Sequence, residues 1–432
     1  MNINSEIFLN SNLSTKQQKV IELYLQGKNV FVTGSAGSGK SYLLNYLKQN
    51  FTQNGLEITA STGISAVNIG ASTVYSWAGI GLANQPVENI IDDLFSPKFS
   101  KIRKRIIRTS CLAIDEISMI SVHVLDILDQ VFKAVRNSQK PFGGMQILLF
   151  GDFLQLPPIT SYGNKIEFCF NSQAWQNLNL HNIVLDKIYR QDNDKFIKLL
   201  NNLRLGIVDE SDKKILTSRM NISDQNSLIR PTILTTHNSK VMTVNESFLK
   251  QIPHIEEVFT ASYEGNEAKI EFLKKNCLAN QILRLKINAQ VMMIRNSFNK
   301  DGIINGSLGI VKDFSKKKYP IVEFANGKIL TIAPESWVLE QIDSETRIKK
   351  IEASLTQIPL ILAWAITIHK SQGLTLDKIS CDLSQSFSPG QSYVALSRAK
   401  SLEGVFIESI NFDKITANDE AVKFYKDIRG NE

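Results

Sequence analysis

The run Val30-Phe-Val-Thr-Gly34-Ser-Ala-Gly37-Ser38-Gly39-Lys40-Ser41 limits the possible folds of this chain more than any other stretch. An apolar, β-branched segment enters a glycine-rich turn and leaves it through a lysine and a hydroxyl. The turn satisfies G-x-x-x-x-G-K-[ST] at Gly34, Gly39, Lys40 and Ser41. Glycines let backbone N–H groups converge on phosphate oxygens, and a helix starting near Lys40 adds the positive end of its dipole. Lys40 reaches toward the β- and γ-phosphates, and Ser41 offers its hydroxyl to Mg2+.

The surroundings repeat this strand–turn–helix grammar. Residues 13 to about 50 read as helix, strand, turn and helix. Leu56–Ala60, residues 110–114 and Gln146–Phe150 read as further strands, with helical spacing at Leu125, Leu128 and Phe132 between the last two. Such β–α alternation implies a parallel sheet. A second alternating region is expected from about residue 182, with strands at 232–236, 363–368 and Ile379–Leu383. Between them, from about 259 to 341, short strands with Asn-Gly turns predict a small all-β insertion.

Two acidic or amide-bearing loops follow strands of the first region. Leu112-Ala-Ile-Asp115-Glu116 delivers Asp115 to a strand end, where a carboxylate can hold Mg2+ through water, and Glu116 can act as general base on the attacking water. A pair of adjacent carboxylates favours hydrolysis over phosphoryl transfer to a substrate. Gly151-Asp-Phe-Leu-Gln155-Leu-Pro-Pro158 places an amide, Gln155, where it can donate to a γ-phosphate and accept from water.

The 432 residues suffice for two to four domains. Lys and Arg number 49 against 42 Asp and Glu, a net +7 that permits a polyanionic partner without requiring one. The 4 cysteines are scattered and form no metal-binding spacing, which suits a reducing compartment. No membrane-spanning apolar run occurs, and MNINSEIFLNSN has no apolar signal core. An intracellular protein is expected: cytoplasm or nucleoid in a bacterium, in preference to nucleus or mitochondrion, with no membrane partner and the motor beginning almost at once.

GSAGSGKS, ASTGISAVNIGAST, IDEISM, PFGG with GDFLQLPP, IYRQ, TIHKSQGLTLD and SYVALSRAKSLEGV occur in that order. Together they resemble superfamily 1B DNA helicases of the Pif (petite integration frequency) type, over residues 13 to about 405. The resemblance implies an α/β fold of two RecA-like P-loop lobes, parallel sheets flanked by helices. The first lobe would span 1–181 with a small wedge insertion at about 63–81. The second would comprise 182–264 and 345–432, interrupted by an SH3-like β insertion at 265–344.

The same resemblance implies ATP as fuel, read at the adenine by Gln17, held by Gly34, Gly37, Ser38, Gly39, Lys40 and Ser41, and flanked by Gln372 and Gly373. Arg190 and Arg398 would reach the γ-phosphate, completing a catalytic set with Lys40, Asp115, Glu116 and Gln155. Mg2+ would sit between Ser41 and Asp115. Thr62, Gly63, His369, Lys370 and Ser371 would line the DNA channel. Tyr75 stands where the family commonly has histidine, and either stacks on a base or serves the core. Leu308 replaces a more usual arginine. The basic run Lys101, Arg103, Lys104, Arg105 and Arg108 reads as a solvated helix face. The implied activity is 5′ to 3′ translocation on single-stranded and forked DNA, by a chain that is a monomer when free. It would unwind duplexes and extend to G-quadruplexes and RNA–DNA hybrids, in repair, recombination or replication and telomere-type maintenance. A translocase that displaces proteins is the alternative reading, followed by a P-loop enzyme indifferent to DNA and a catalytically dead module.

Overall fold

A computed structural model describes residues 12–158, 166–222, 228–342, 349–386 and 388–429. The first lobe is built on six parallel strands. These are β1 (Val30–Gly34), β2 (Leu56–Ala60), β3 (Ser72–Thr73), β4 (Cys111–Asp115), β5 (Gln146–Phe150) and β6 (His181–Leu185), ordered β3-β2-β4-β5-β1-β6. β1 and β4 are buried along their whole length, as strands covered by helices on both faces must be. Because the strands are parallel, the carboxyl ends of β1, β4 and β5 open on one edge. That edge brings the glycine turn, Asp115-Glu116 and the 151–155 loop side by side.

One expected limit of this lobe is corrected. Residues 182–185, expected in the second lobe, belong to β6, which pairs with β1 from Val30↔His181 to Gly34↔Leu185. The block at 63–81 is largely helical, Gly63–Asn68 and Val74–Ala78, and its β3 is the edge strand of the main sheet. Local pattern announces a strand but not which sheet it joins.

The second lobe opens with the helix Asp194–Arg204, whose Phe196, Leu199, Leu200 and Leu203 enter its core. Its first strand is β7 (Thr232–Thr235). An inserted β region then runs through β8 (Glu257–Thr260), β9 (Ser262–Gly265), β10 (Ile282–Leu285), β11 (Gln290–Met293), β12 (Leu308–Phe314), β13 (Pro320–Phe324), β14 (Ile329–Thr331), β15 (Glu335–Ile342), β16 (Lys349–Gln357) and β17 (Leu360–Leu362). These form an antiparallel five-stranded sheet (β14-β13-β12-β11-β17), a three-stranded one (β15-β16-β9) and the pair β10-β8. The insertion is therefore wider than 265–344 on both sides, and the limit at 344 itself lies outside the described residues, as do residues 1–11. Leu308 and Trp337 are buried in the core that the insertion shares with the second lobe. The chain returns to the second lobe through β18 (Ala365–Thr367), β19 (Ile379–Leu383) and β20 (Val405–Ile410), giving the parallel order β18-β7-β19-β20.

The family resemblance places the segment 345–432 wholly in the second lobe. Its helix Asp419–Arg429 instead crosses back and inserts Ala421, Tyr425 and Ile428 into the first lobe's core. Phe424 stacks on Phe170, with ring centroids 4.2 Å apart, and meets Phe31, Phe153 and Trp175 edge-on or tilted. Among the described residues no helix is long and apolar enough to cross a membrane.

Candidate active site

The glycine turn leads directly into the helix Lys40–Phe51, with Gly39 left-handed at its N-cap. Gly37 has φ +81, and a Cβ there would lie 2.6 Å from Arg190 Cβ, so both backbone and space demand glycine. The Tyr189 N–H donates to Gly37 O over 2.9 Å, tying this turn to the segment leaving β6. Lys40 Nζ donates to Gly34 O (2.6 Å) and Ser35 O (3.1 Å). Burial pushes the Lys40 ammonium down, against the pull of Asp152, Glu116 and Asp115. The Ser38 hydroxyl is buried without a hydrogen-bond partner, and Ser41 is exposed at the helix start.

Asp115 ends β4, and its Oδ1 accepts the Glu116 N–H at 2.9 Å. Glu116 adopts a left-handed backbone, φ 52, which turns its side chain toward the glycine turn's edge of the sheet. Burial raises Asp115 to about 6, against its backbone hydrogen bond and Lys40. Burial and then the Asp115 charge raise Glu116 to about 7. Gln372 Nε2 donates to Glu116 Oε2 over 3.2 Å from the second lobe. Among the described residues no three His, Cys, Asp or Glu cluster to hold a metal. One carboxylate and one hydroxyl suit Mg2+, which keeps several waters and completes its shell with phosphate oxygens.

Arg190 donates to Thr375 Oγ1 (2.9 Å), Ser397 O (2.9 Å) and Gly373 O (3.5 Å). Arg398, 1% exposed, donates to Val394 O (2.9 Å), Ser397 Oγ (2.9 Å) and Ser371 O (3.5 Å). All these acceptors are neutral. Burial presses both guanidiniums below the ordinary arginine range, and for Arg190 the nearby Arg398 charge adds to it. Two adjacent cations, Arg398 buried and Arg190 half-buried, without a carboxylate bonded to either make a site that favours an anion.

A cavity of about 270 Å³ gathers Gly37, Ser38, Gly39, Lys40, Ser41, Glu116, Gln155, Arg190, Gly373 and Arg398 on its walls. Most of the expected nucleotide residues thus meet in one cleft between the lobes. Gln17 does not line it. This side chain is 1% exposed, accepts the Ser14 N–H (2.8 Å) in a capping box and donates to Gly39 O (3.2 Å). In this structure its amide props the glycine turn from behind.

Sequence reading missed several residues around the cleft. Tyr189, 47% exposed, lies against Gly39 at the cavity wall. Tyr393 Oη accepts the Ala36 N–H over 2.8 Å from the second lobe. Asp152 and Arg204 form a buried two-pronged ion pair across the lobes (2.6 and 3.0 Å). Tyr425 Oη accepts the Phe153 N–H (3.1 Å) and lies 2.6 Å from Thr33 Oγ1. Tyr189 was visible as an aromatic beside Arg190; the others depend on long-range packing.

The expected DNA residues divide. His369 and Lys370 are exposed. Thr62 caps the helix Gly63–Asn68, and Gly63 abuts the Asn276 side chain of the insertion. Ser371 is corrected: its hydroxyl is fully buried and donates to Ile368 O (2.8 Å), so it shapes the turn that holds Arg398. Tyr75 packs half-buried against the first core, and burial pushes its phenol up. The basic run is split too: Arg103 bonds Ser96 O and Leu94 O, and Arg105 bonds Trp77 O, while Lys101, Lys104 and Arg108 face solvent.

Residues 12–214 match the family model of PIF1-like helicases, and residues 270–314 match that of the DNA helicase Pif1 2B domain. The chain is 38% identical over 421 residues to the ATP-dependent DNA helicase PIF1 of Danio rerio, covering 96% of this chain and 64% of that relative. The chain therefore spans a little under two thirds of that relative's length. Pif1 from Bacteroides sp. in complex with ADP-AlF4 is 31% identical with a TM-score of 0.87, covering 98% of each chain. Bacteroides Pif1 bound to single-stranded DNA is 32% identical with a TM-score of 0.65, again covering 98% of each.

Proposed function

The chain belongs to the PIF1-like helicases, and from that premise we propose that it hydrolyses ATP to move along single-stranded DNA and open the duplex ahead. The observation that carries the reading is the placement of Arg190 and Arg398, neither bonded to a carboxylate, in one cleft with the glycine turn and Glu116. An anion bound there is gripped by both lobes at once, so its arrival closes the molecule and its loss lets it open.

The residues divide the work. The turn from Gly34 to Ser41 receives the phosphates, with Lys40 released from its carbonyl acceptors to meet them. The Tyr189 ring offers a platform beside Gly39 for the base. Glu116 takes the proton of the attacking water, and Gln155 orients that water. Arg190 and Arg398 neutralise charge that develops on the γ-phosphate. Mg2+ held by Ser41 and Asp115 would neutralise phosphate charge and fix its geometry.

For the DNA path, a groove of about 730 Å³ lies between the helix Asn238–Gln251, the insertion and the second lobe. Lys250, Arg284, Lys370 and Asn245 line it together with the exposed Met242, and Glu246 and Glu256 lie on its wall. Cations for phosphates beside an apolar contact for bases suit a single strand. The similarity to a DNA-bound Pif1 supports the same partner. Movement 5′ to 3′ and action on forks, G-quadruplexes and RNA–DNA hybrids belong to the proposal.

Strand displacement with ATP and Mg2+ on matched 5′-tailed and 3′-tailed partial duplexes tests it. Opening of the 5′-tailed substrate alone is expected. Opening of only the 3′-tailed one overturns the direction. Failure of both, with DNA-stimulated hydrolysis intact, replaces unwinding by translocation that displaces proteins. Hydrolysis indifferent to DNA removes the nucleic-acid reading.

A further inference from the structure

Gln155 reaches the cleft, but its orientation is set from outside it. Its Nε2 donates to Asp152 Oδ2 over 3.2 Å. A side-chain amide has one donor end and one acceptor end, and an anionic carboxylate accepts only from the donor. The pairing turns Nε2 toward Asp152 and leaves Oε1, the acceptor that a water proton needs, and the second Nε2 hydrogen free of that carboxylate.

Asp152 does not line the cavity; it is buried behind Gln155. Burial alone would push its carboxyl up, but Arg204, with Lys40 and the Gln155 amide, holds it below the ordinary carboxylate range. Arg204 donates through Nε to Oδ2 (3.0 Å) and through Nη2 to Oδ1 (2.6 Å). Its guanidinium also lies over the Tyr425 ring, 4.8 Å from the centroid. Arg204 stands on a helix anchored in the second lobe's core, whereas Asp152 and Gln155 leave β5 of the first. The second lobe touches the same loop again at Gly390, where a Cβ would lie 2.7 Å from Gln155 O.

We propose that Arg204 is a positioning residue for hydrolysis: acting from the second lobe through Asp152, it fixes the amide of Gln155 toward the attacking water. Seating of the lobes and orientation of the water are then one event. This rests on the hydrolytic reading of the cleft and adds its coupling to lobe contact.

The test is a double-mutant cycle on the full chain, with steady-state ATP hydrolysis in saturating single-stranded DNA. Arg204→Lys keeps the charge and loses the fork. It is expected to lower kcat about tenfold or more, the size of one charge-assisted hydrogen bond, with KM for ATP changed less than about threefold. In a Gln155→Ala background the same substitution is expected to lower kcat no further, because its target is gone. A loss that multiplies with Gln155→Ala, or an unchanged kcat in Arg204→Lys, overturns the proposal. If Arg204→Lys fails to fold, the neutral pair Asp152→Asn with Arg204→Gln removes the buried charges together and is read by the same cycle. Absence of hydrolysis by the unaltered chain overturns the reading of the cleft itself, a result separate from any pattern among the variants.

Discussion

Gln372 of the second lobe donates its side-chain N–H to Glu116 Oε2 of the first over 3.2 Å. The group assigned to proton abstraction is thus held from across the cleft, in surroundings that raise it to about 7 through burial and then the Asp115 charge. A general base works only when deprotonated. The value of kcat/KM for ATP, which reports the free protein, should therefore fall as pH drops through about 7 and level off above it. Glu116→Gln should bind nucleotide and abolish turnover. A flat profile from pH 6 to 8 would assign the proton to another group.

Lys40→Ala should abolish hydrolysis, since Lys40 is the only lysine lining the cleft among the described residues. Arg398→Ala should lower kcat by about 10²- to 10³-fold, the range for one preorganised donor to developing charge. Binding of single-stranded DNA, followed by fluorescence anisotropy, should stay within about threefold. Lost DNA binding would move Arg398 out of the nucleotide cleft.

The Tyr189 ring beside Gly39 makes a separate claim, about affinity rather than rate. Tyr189→Ala should raise KM for ATP about three- to tenfold with little change in kcat, and Tyr189→Phe should restore it, since stacking needs only the ring. Equal losses in both variants would point to the hydroxyl.

Tyr425→Phe removes one oxygen from a buried site. It leaves the Phe153 N–H and the Thr33 hydroxyl without that partner. A cost of about 1–3 kcal/mol in unfolding free energy is expected, measured by denaturant titration. A change under about 0.5 kcal/mol would mean that water or a local shift satisfies both groups.

How legible the cleft was depended on the distance over which its parts interact. The glycine turn, Asp115-Glu116 and Gln155 each follow a strand and carry their chemistry within a few residues, so pattern alone placed them. Arg190 and Arg398 required the family resemblance, because a lone arginine has no local signature. Arg204 and Asp152 were beyond reach, since their pairing joins residues 52 apart on different lobes. Ser371 was misread because TIHKSQG marks a turn without marking which side chains point inward. β6 was misplaced for the related reason that an apolar run does not name its neighbour.

The return of the helix Asp419–Arg429 to the first lobe bears on how the chain acquires its structure. Thr33 and the tyrosine that meets it are 392 residues apart. Until that helix has been synthesised, an aromatic face containing Phe31, Phe153, Phe170 and Trp175 lacks its cover. The lobe made first is therefore completed last, through a contact of very long sequence separation, which slows folding and leaves apolar surface open to chaperones meanwhile. Once in place, the same helix ties the lobes at a second point along the chain, so the cleft opens on a double tether.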